Sequence, residues 1–284
     1  MAVAIHRLGG ATGAEIAGVD LSRDLGNEDF SDILGAFHEY SVLVFRNQSL
    51  DPDALVRFSE RVGPLEQHLL GQFALPENPD VFQISNKTEG GKPTGAIRAG
   101  QYWHSDCSYT AHPTMASLLH AKEIPGYGGD TLFAGMAAAY DALSDIMKGM
   151  LDGLVAVHDY TNAYETFFSR HAERPPLSDA EKEAVPPVEH PVVRTHPETG
   201  RKALYVNPGF TRRITGMHEA ESRALLDFLF GHATQPRFIY RHRWAVGDLV
   251  MWDNRSTIHL ALDDYDMAEP RHLHRTTLAG DRPR

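Results

Sequence analysis

His104 and Asp106, one residue apart in Gln101-Tyr102-Trp103-His104-Ser105-Asp106, constrain the fold of this chain more than any other feature. On a β-strand, residues two apart point to the same face, so an imidazole and a carboxylate converge on one point. They supply two of the three side chains of a 2-His-1-carboxylate iron site, which covers one face of the ion and leaves the other positions open. The third candidate is His259, about 150 residues later, after the apolar run Leu249–Trp252 and the polar turn Asp253-Asn254-Arg255. A fold that unites the three must bring distant strands together. On spacing alone the bland alternatives stand: most His-x-Asp triplets are surface chemistry, and a lone histidine beside apolar residues is more often a satisfied core residue.

The rest of the sequence reads as short strands with helical decoration. Residues 3–21 hold short apolar runs broken by Gly9-Gly10, Gly13 and Gly18, as small strands joined by turns do. Phe30, Ile33, Leu34 and Phe37 recur at helical spacing over residues 28–40, and Ser41–Phe45 reads as a buried strand. Residues 51–62, with Pro52 in the first turn and Gly63-Pro64 as the stop, read as a helix, and Val81–Ser85 as a strand. The polar, Gly-rich stretch 86–100 predicts a mobile loop before the His104 segment. Met136–Leu151 predicts one helix, 160–187 a long irregular insertion, and Glu219–Phe230 a helix stopped by Gly231. Leu249–Trp252 and Arg271–Leu278 read as strands. This pattern implies an α+β chain, mainly β, with a double-stranded β-helix (jelly-roll) core, and residues 1–284 as a single domain.

A net charge of −11 argues against nucleic-acid binding, which uses a basic face. No apolar run approaches the length of a membrane span, and no secretory signal is evident, so the cytoplasm is the expected compartment. A single cysteine, Cys107, excludes an internal disulfide and a cysteine-built zinc site. On the terminal strand, Arg271, Leu273 and Arg275 share one face. Two arginines pointing into a barrel are costly unless they meet anions, whereas on a solvated edge the same spacing means little.

The chain resembles the taurine/2,4-dichlorophenoxyacetate dioxygenase family of Fe(II)- and 2-oxoglutarate-dependent enzymes, most closely its phenoxyalkanoate branch. The resemblance runs nearly end to end, through Gly18–Leu21, Ser41–Arg46, Trp103–Asp106, Gly128–Thr131, His190–His196, Tyr240–Arg255 and the Arg271/Arg275 pair. It implies that His104, Asp106 and His259 hold Fe(II), and that Thr131 and Arg271 hold the distal carboxylate of 2-oxoglutarate. It further implies that Arg275 binds the acidic group of the substrate, with His68, Phe210 and Tyr164 around it. Gly100 and Ala163-Tyr164 stand where the taurine branch carries Asn and Ser-Phe, which implies a bulkier, more apolar acid.

The implied reaction is hydroxylation of a small acidic substrate with O2, releasing succinate and CO2. The first expectation is an aryloxyalkanoate whose ether is then cleaved; the alternative is an alkylsulfonate or sulfate ester. Related halogenases lack the carboxylate that Asp106 provides, so hydroxylation is the implied outcome. Outside this class stand a metal-dependent hydrolase and a non-catalytic jelly-roll binding protein. The resemblance also implies a homo-oligomer, a dimer or higher.

Overall fold

The computed structural model describes residues 3–67, 71–167 and 178–284. The core is a jelly roll. Its major sheet has eight strands in the order Ala4–Arg7, Ala14–Ala17, Val42–Phe45, Leu249–Asp253, Ala116–Glu123, His272–Leu278, Asn78–Ser85 and Ala74–Leu75. Except for the parallel pair of Ala14–Ala17 with Val42–Phe45, neighbouring strands run antiparallel. The minor sheet places Thr131–Gly135 between Ile239–His242 and Thr257–Ala261.

The continuous apolar runs in the central strands follow from burial on both faces. Val42 and Val44 join Val250, Trp252, Leu119 and Phe133 in the inner core. Leu43 and Phe45, one residue out of phase, pack with Leu249 and Met251 against Ile33, Phe37, Leu55 and Phe58 on the outside. Those last four residues belong to the helices Asn27–Tyr40 and Pro52–Val62, which cover the major sheet. In the second of these helices Asp51 is the N-cap, its carboxylate accepting from Ala54 N at 2.7 Å, and Pro52 opens the first turn, where a missing N–H costs nothing. The helix Glu219–Ala233 covers the minor sheet, with Leu226 and Leu229 against Ala134 and Ile258.

Several expected boundaries differ. Residues 86–100 contain a small hairpin, Thr88–Glu89 with Lys92–Pro93. Met136–Leu151 is two helices, Met136–Asp141 and Asp145–Leu151, because Ser144 caps the second by accepting from Met147 N. Within 160–187, Tyr160–Thr166 and Asp179–Ala184 are helical, and the Pro175-Pro176 signal lies outside the described residues. Gly231 does not stop its helix, since the buried stripe continues through His232 and Ala233.

Candidate metal centre and anion seat

His104 and His259 meet as a two-residue β-bridge. His104 N donates to His259 O at 3.0 Å, and His259 N donates to His104 O at 2.8 Å. The backbone thus fixes two imidazoles side by side, with ring centroids 4.1 Å apart. Asp106 does not continue a strand, as the i, i+2 reading expected. The chain turns after His104, and Cys107 takes a left-handed φ of 53°. The turn still delivers the carboxylate: Asp106 Oδ1 lies 3.7 Å from His104 Nε2, and Asp106 Oδ2 lies 3.8 Å from His259 Nε2. Among the described residues, these three form the single group of three or more His, Cys, Asp or Glu side chains with ligand atoms within 4.8 Å of one another.

The protonation states suit a divalent cation, which needs neutral imidazoles and an ionised carboxylate. Burial pushes the pKa of both histidines below the ordinary value. His104 Nδ1 lies 2.8 Å from the carbonyl of Tyr102. A carbonyl can only accept, so Nδ1 carries the hydrogen and Nε2 presents its lone pair toward Asp106. For Asp106, burial raises the pKa, but Arg275, His259, His104 and a hydrogen bond from Ser117 outweigh it and hold the carboxyl well below its usual range. Arg275 Nη2 lies 3.0 Å from Asp106 Oδ1, and Ser117 Oγ donates to Oδ2 at 2.8 Å. Asn254 Oδ1 accepts from the backbone N–H of Asp106 at 3.1 Å and from the Trp252 indole at 3.1 Å.

A cavity of about 50 Å³ opens on the two histidines and is also lined by Gly100, Thr131, Arg271 and Arg275. Gly100 has a φ of +74°, and a Cβ there would lie 2.8 Å from His104 Cε1, so glycine is what lets the chain pass. Arg271 is 7% exposed. Its Nε donates to Gly129 O at 3.2 Å, yet among the described residues no carboxylate lies within 4.0 Å of its guanidinium. Burial lowers its pKa, opposed by Tyr265 and Asp130. A desolvated cation without a counter-ion is a seat for an anion. Thr131 is buried at the rim of the same cavity.

Phe210 is buried in an aromatic cluster with Tyr102 and Tyr109, against which Tyr164 packs. Its ring stands edge-on to His104 at 6.1 Å. His68 lies outside the described residues. Arg275 faces the cavity as expected, but it is committed to Asp106 and Ser117, a pairing the sequence reading missed. It also missed Ser117 and gave Asn254 no role beyond the polar turn Asp253-Asn254-Arg255. Both act on Asp106, in a turn removed from them in sequence, so only the folded chain reveals the contacts.

The profile described as taurine catabolism dioxygenase TauD, TfdA family matches residues 4–277. An alpha-ketoglutarate-dependent 2,4-dichlorophenoxyacetate dioxygenase of Cupriavidus pinatubonensis is 38% identical, over 99% of each chain. An alpha-ketoglutarate-dependent sulfate ester dioxygenase of Pseudomonas putida is 34% identical, over 98% of this chain and 90% of the relative. Among solved structures, that of AAD-2 in complex with Mn(II) and N-oxalylglycine superposes with a TM-score of 0.84 at 34% identity, covering 100% of this chain and 99% of that one.

Proposed function

The chain belongs to the TauD, TfdA dioxygenase family, and on that premise we propose that it hydroxylates an aryloxyalkanoate-type carboxylate whose ether then breaks. The protein is a 2-oxoglutarate-dependent dioxygenase that uses Fe(II), 2-oxoglutarate and O2. In this reading, residues 1–284 act as one catalytic domain and assemble as a homo-oligomer.

His104, Asp106 and His259 hold the iron in our assignment; their buried, correctly protonated donor set supports it. Bound iron supplies the oxidising chemistry that, with O2 and the conversion of 2-oxoglutarate to succinate and CO2, places a hydroxyl on a substrate carbon. Arg271 and Thr131 seat the distal carboxylate of 2-oxoglutarate, where a guanidinium and a hydroxyl donor suit a planar anion. Arg275 keeps Asp106 in place and turns its remaining donors to the acidic group of the substrate; its Nε is buried with no partner among the described residues. Phe210 and Tyr164 supply an aromatic wall for an aryl group, and His68 is assigned to the same pocket. A hydroxyl on a carbon that carries an ether oxygen gives a hemiacetal or hemiketal, which collapses to a phenol and an oxo acid.

One observation carries this reading: the buried guanidinium of Arg271, with no carboxylate within 4.0 Å among the described residues, opens on the same cavity as the histidine pair. Anaerobic addition of Fe(II) and 2-oxoglutarate should produce a visible charge-transfer band, and a silent spectrum removes the assignment. A succinate-release screen then ranks substrates. The similarity to a sulfate ester dioxygenase favours a second reading, in which alkyl sulfates or sulfonates release the most succinate.

A further inference from the structure

Thr131 opens the strand Thr131–Gly135, is 3% exposed, and borders the cavity that holds Arg271. The Trp244 indole Nε1 lies 3.0 Å from Thr131 Oγ1. An indole nitrogen can only donate, so the direction of this bond is fixed: Trp244 gives its hydrogen and the hydroxyl oxygen accepts. The hydroxyl keeps one hydrogen of its own, and it finds no protein acceptor among the described residues. Without Trp244, a threonine hydroxyl can rotate and give that hydrogen to a nearby backbone carbonyl. With the indole in place, any rotamer aiming the O–H back at Nε1 sets donor against donor.

The tryptophan is itself immobilised. It is 8% exposed and packs in the inner core with Leu119, Phe133 and Leu273. The His242 ring meets it edge-on at 4.4 Å, and His242 Nδ1 lies 3.1 Å from the Tyr240 hydroxyl. We propose that Trp244 is a positioning residue for 2-oxoglutarate, which occupies the acceptor side of Thr131 and leaves the threonine O–H aimed at the carboxylate seated by Arg271. This rests on Arg271 and Thr131 being the cosubstrate seat.

The test is a double-mutant cycle read by calorimetric binding of 2-oxoglutarate to Mn(II)-loaded protein, without turnover. Trp244→Phe should weaken binding about 5- to 10-fold, the size of one ordinary hydrogen bond. Thr131→Val should weaken it by at least as much. The double variant should bind within about twofold of Thr131→Val, because the indole then has no hydroxyl to direct. Manganese affinity should stay within about twofold throughout. A normal affinity in Trp244→Phe, or the same extra loss in the valine background, overturns the proposal. An unchanged affinity in Thr131→Val instead removes the seat on which it stands. The unsubstituted chain gives an independent reading, since it has three tryptophans. Adding 2-oxoglutarate to the Zn(II)-loaded protein should shift the Trp244 indole N–H resonance, and in Thr131→Val that shift should vanish. A stationary resonance in the unsubstituted chain overturns the proposal.

Discussion

Arg275 Nη2 sits 3.0 Å from Asp106 Oδ1, so the guanidinium assigned to the substrate also braces the carboxylate assigned to the metal. In the proposed assignment, one side chain therefore links substrate and metal. Arg275→Gln should raise the KM for the acidic substrate roughly 30- to 1000-fold, equivalent to about 2–4 kcal/mol, while the KM for 2-oxoglutarate moves by less than about threefold. Steady-state kinetics with each reactant varied in turn checks this. Equal losses for both reactants would mean that Arg275 serves only to hold the site together.

Arg271 separates binding from stability. Its buried charge has no carboxylate within 4.0 Å among the described residues, so replacing it with an apolar side chain of similar length removes a desolvation cost. Arg271→Met should melt about 2–4 °C higher than the unsubstituted protein when both lack 2-oxoglutarate. Adding 2-oxoglutarate should raise the melting temperature of the unsubstituted protein and leave the variant unmoved. A variant that melts lower without ligand contradicts the picture of an uncompensated cation.

Gly100 tests how closely the chain passes the metal ligand. An added methyl would lie 2.8 Å from His104 Cε1, on a backbone with φ of +74°. Gly100→Ala should cost about 1–3 kcal/mol locally and weaken Mn(II) binding about 10-fold by turning the His104 ring. Titration of the metal-free protein with Mn(II) reads this directly, and unaltered binding would show that the loop yields instead.

Two buried histidines away from the metal ligands set an acid limit on stability. His158 is pushed down to about 3 by burial and then by His190; His190 is pushed down to about 4 by burial. Both rings are neutral in the fold, and below about 6.5 the unfolded chain binds more protons than the native one. Their stabilising share is whole above about 6.5 and drains away as pH falls toward 4 and then 3, at up to about 1.4 kcal/mol per pH unit for each ring. Melting temperature measured from pH 7.5 to 5 should fall more steeply for the unsubstituted protein than for His158→Gln/His190→Gln. Parallel curves would refute the assignment.

The sequence exposed the chemistry more readily than its geometry. Spacing alone left His104, Asp106 and His259 ambiguous; the family resemblance singled them out, and the fold brings the three side chains together. The turn that delivers Asp106 was not readable, since a left-handed Cys107 has no signature a strand pattern can reveal. The alternation Val42, Leu43, Val44, Phe45 marked a buried strand, but which side faced the site depended on its pairing with Leu249–Trp252. Ser117, Asn254 and Trp244 were given no role because each acts through a partner on another strand or turn. The break at Ser144 was legible in principle: Ser-Asp is a start signal inside what read as one helix.

The reciprocal bonds between His104 and His259 close a loop of about 150 residues through main-chain atoms. Main-chain bonds of this kind predict that the barrel assembles before the metal is loaded. Protein stripped with a chelator should remain a folded receptacle, ready to be recharged and to exchange one divalent ion for another without passing through a denatured state.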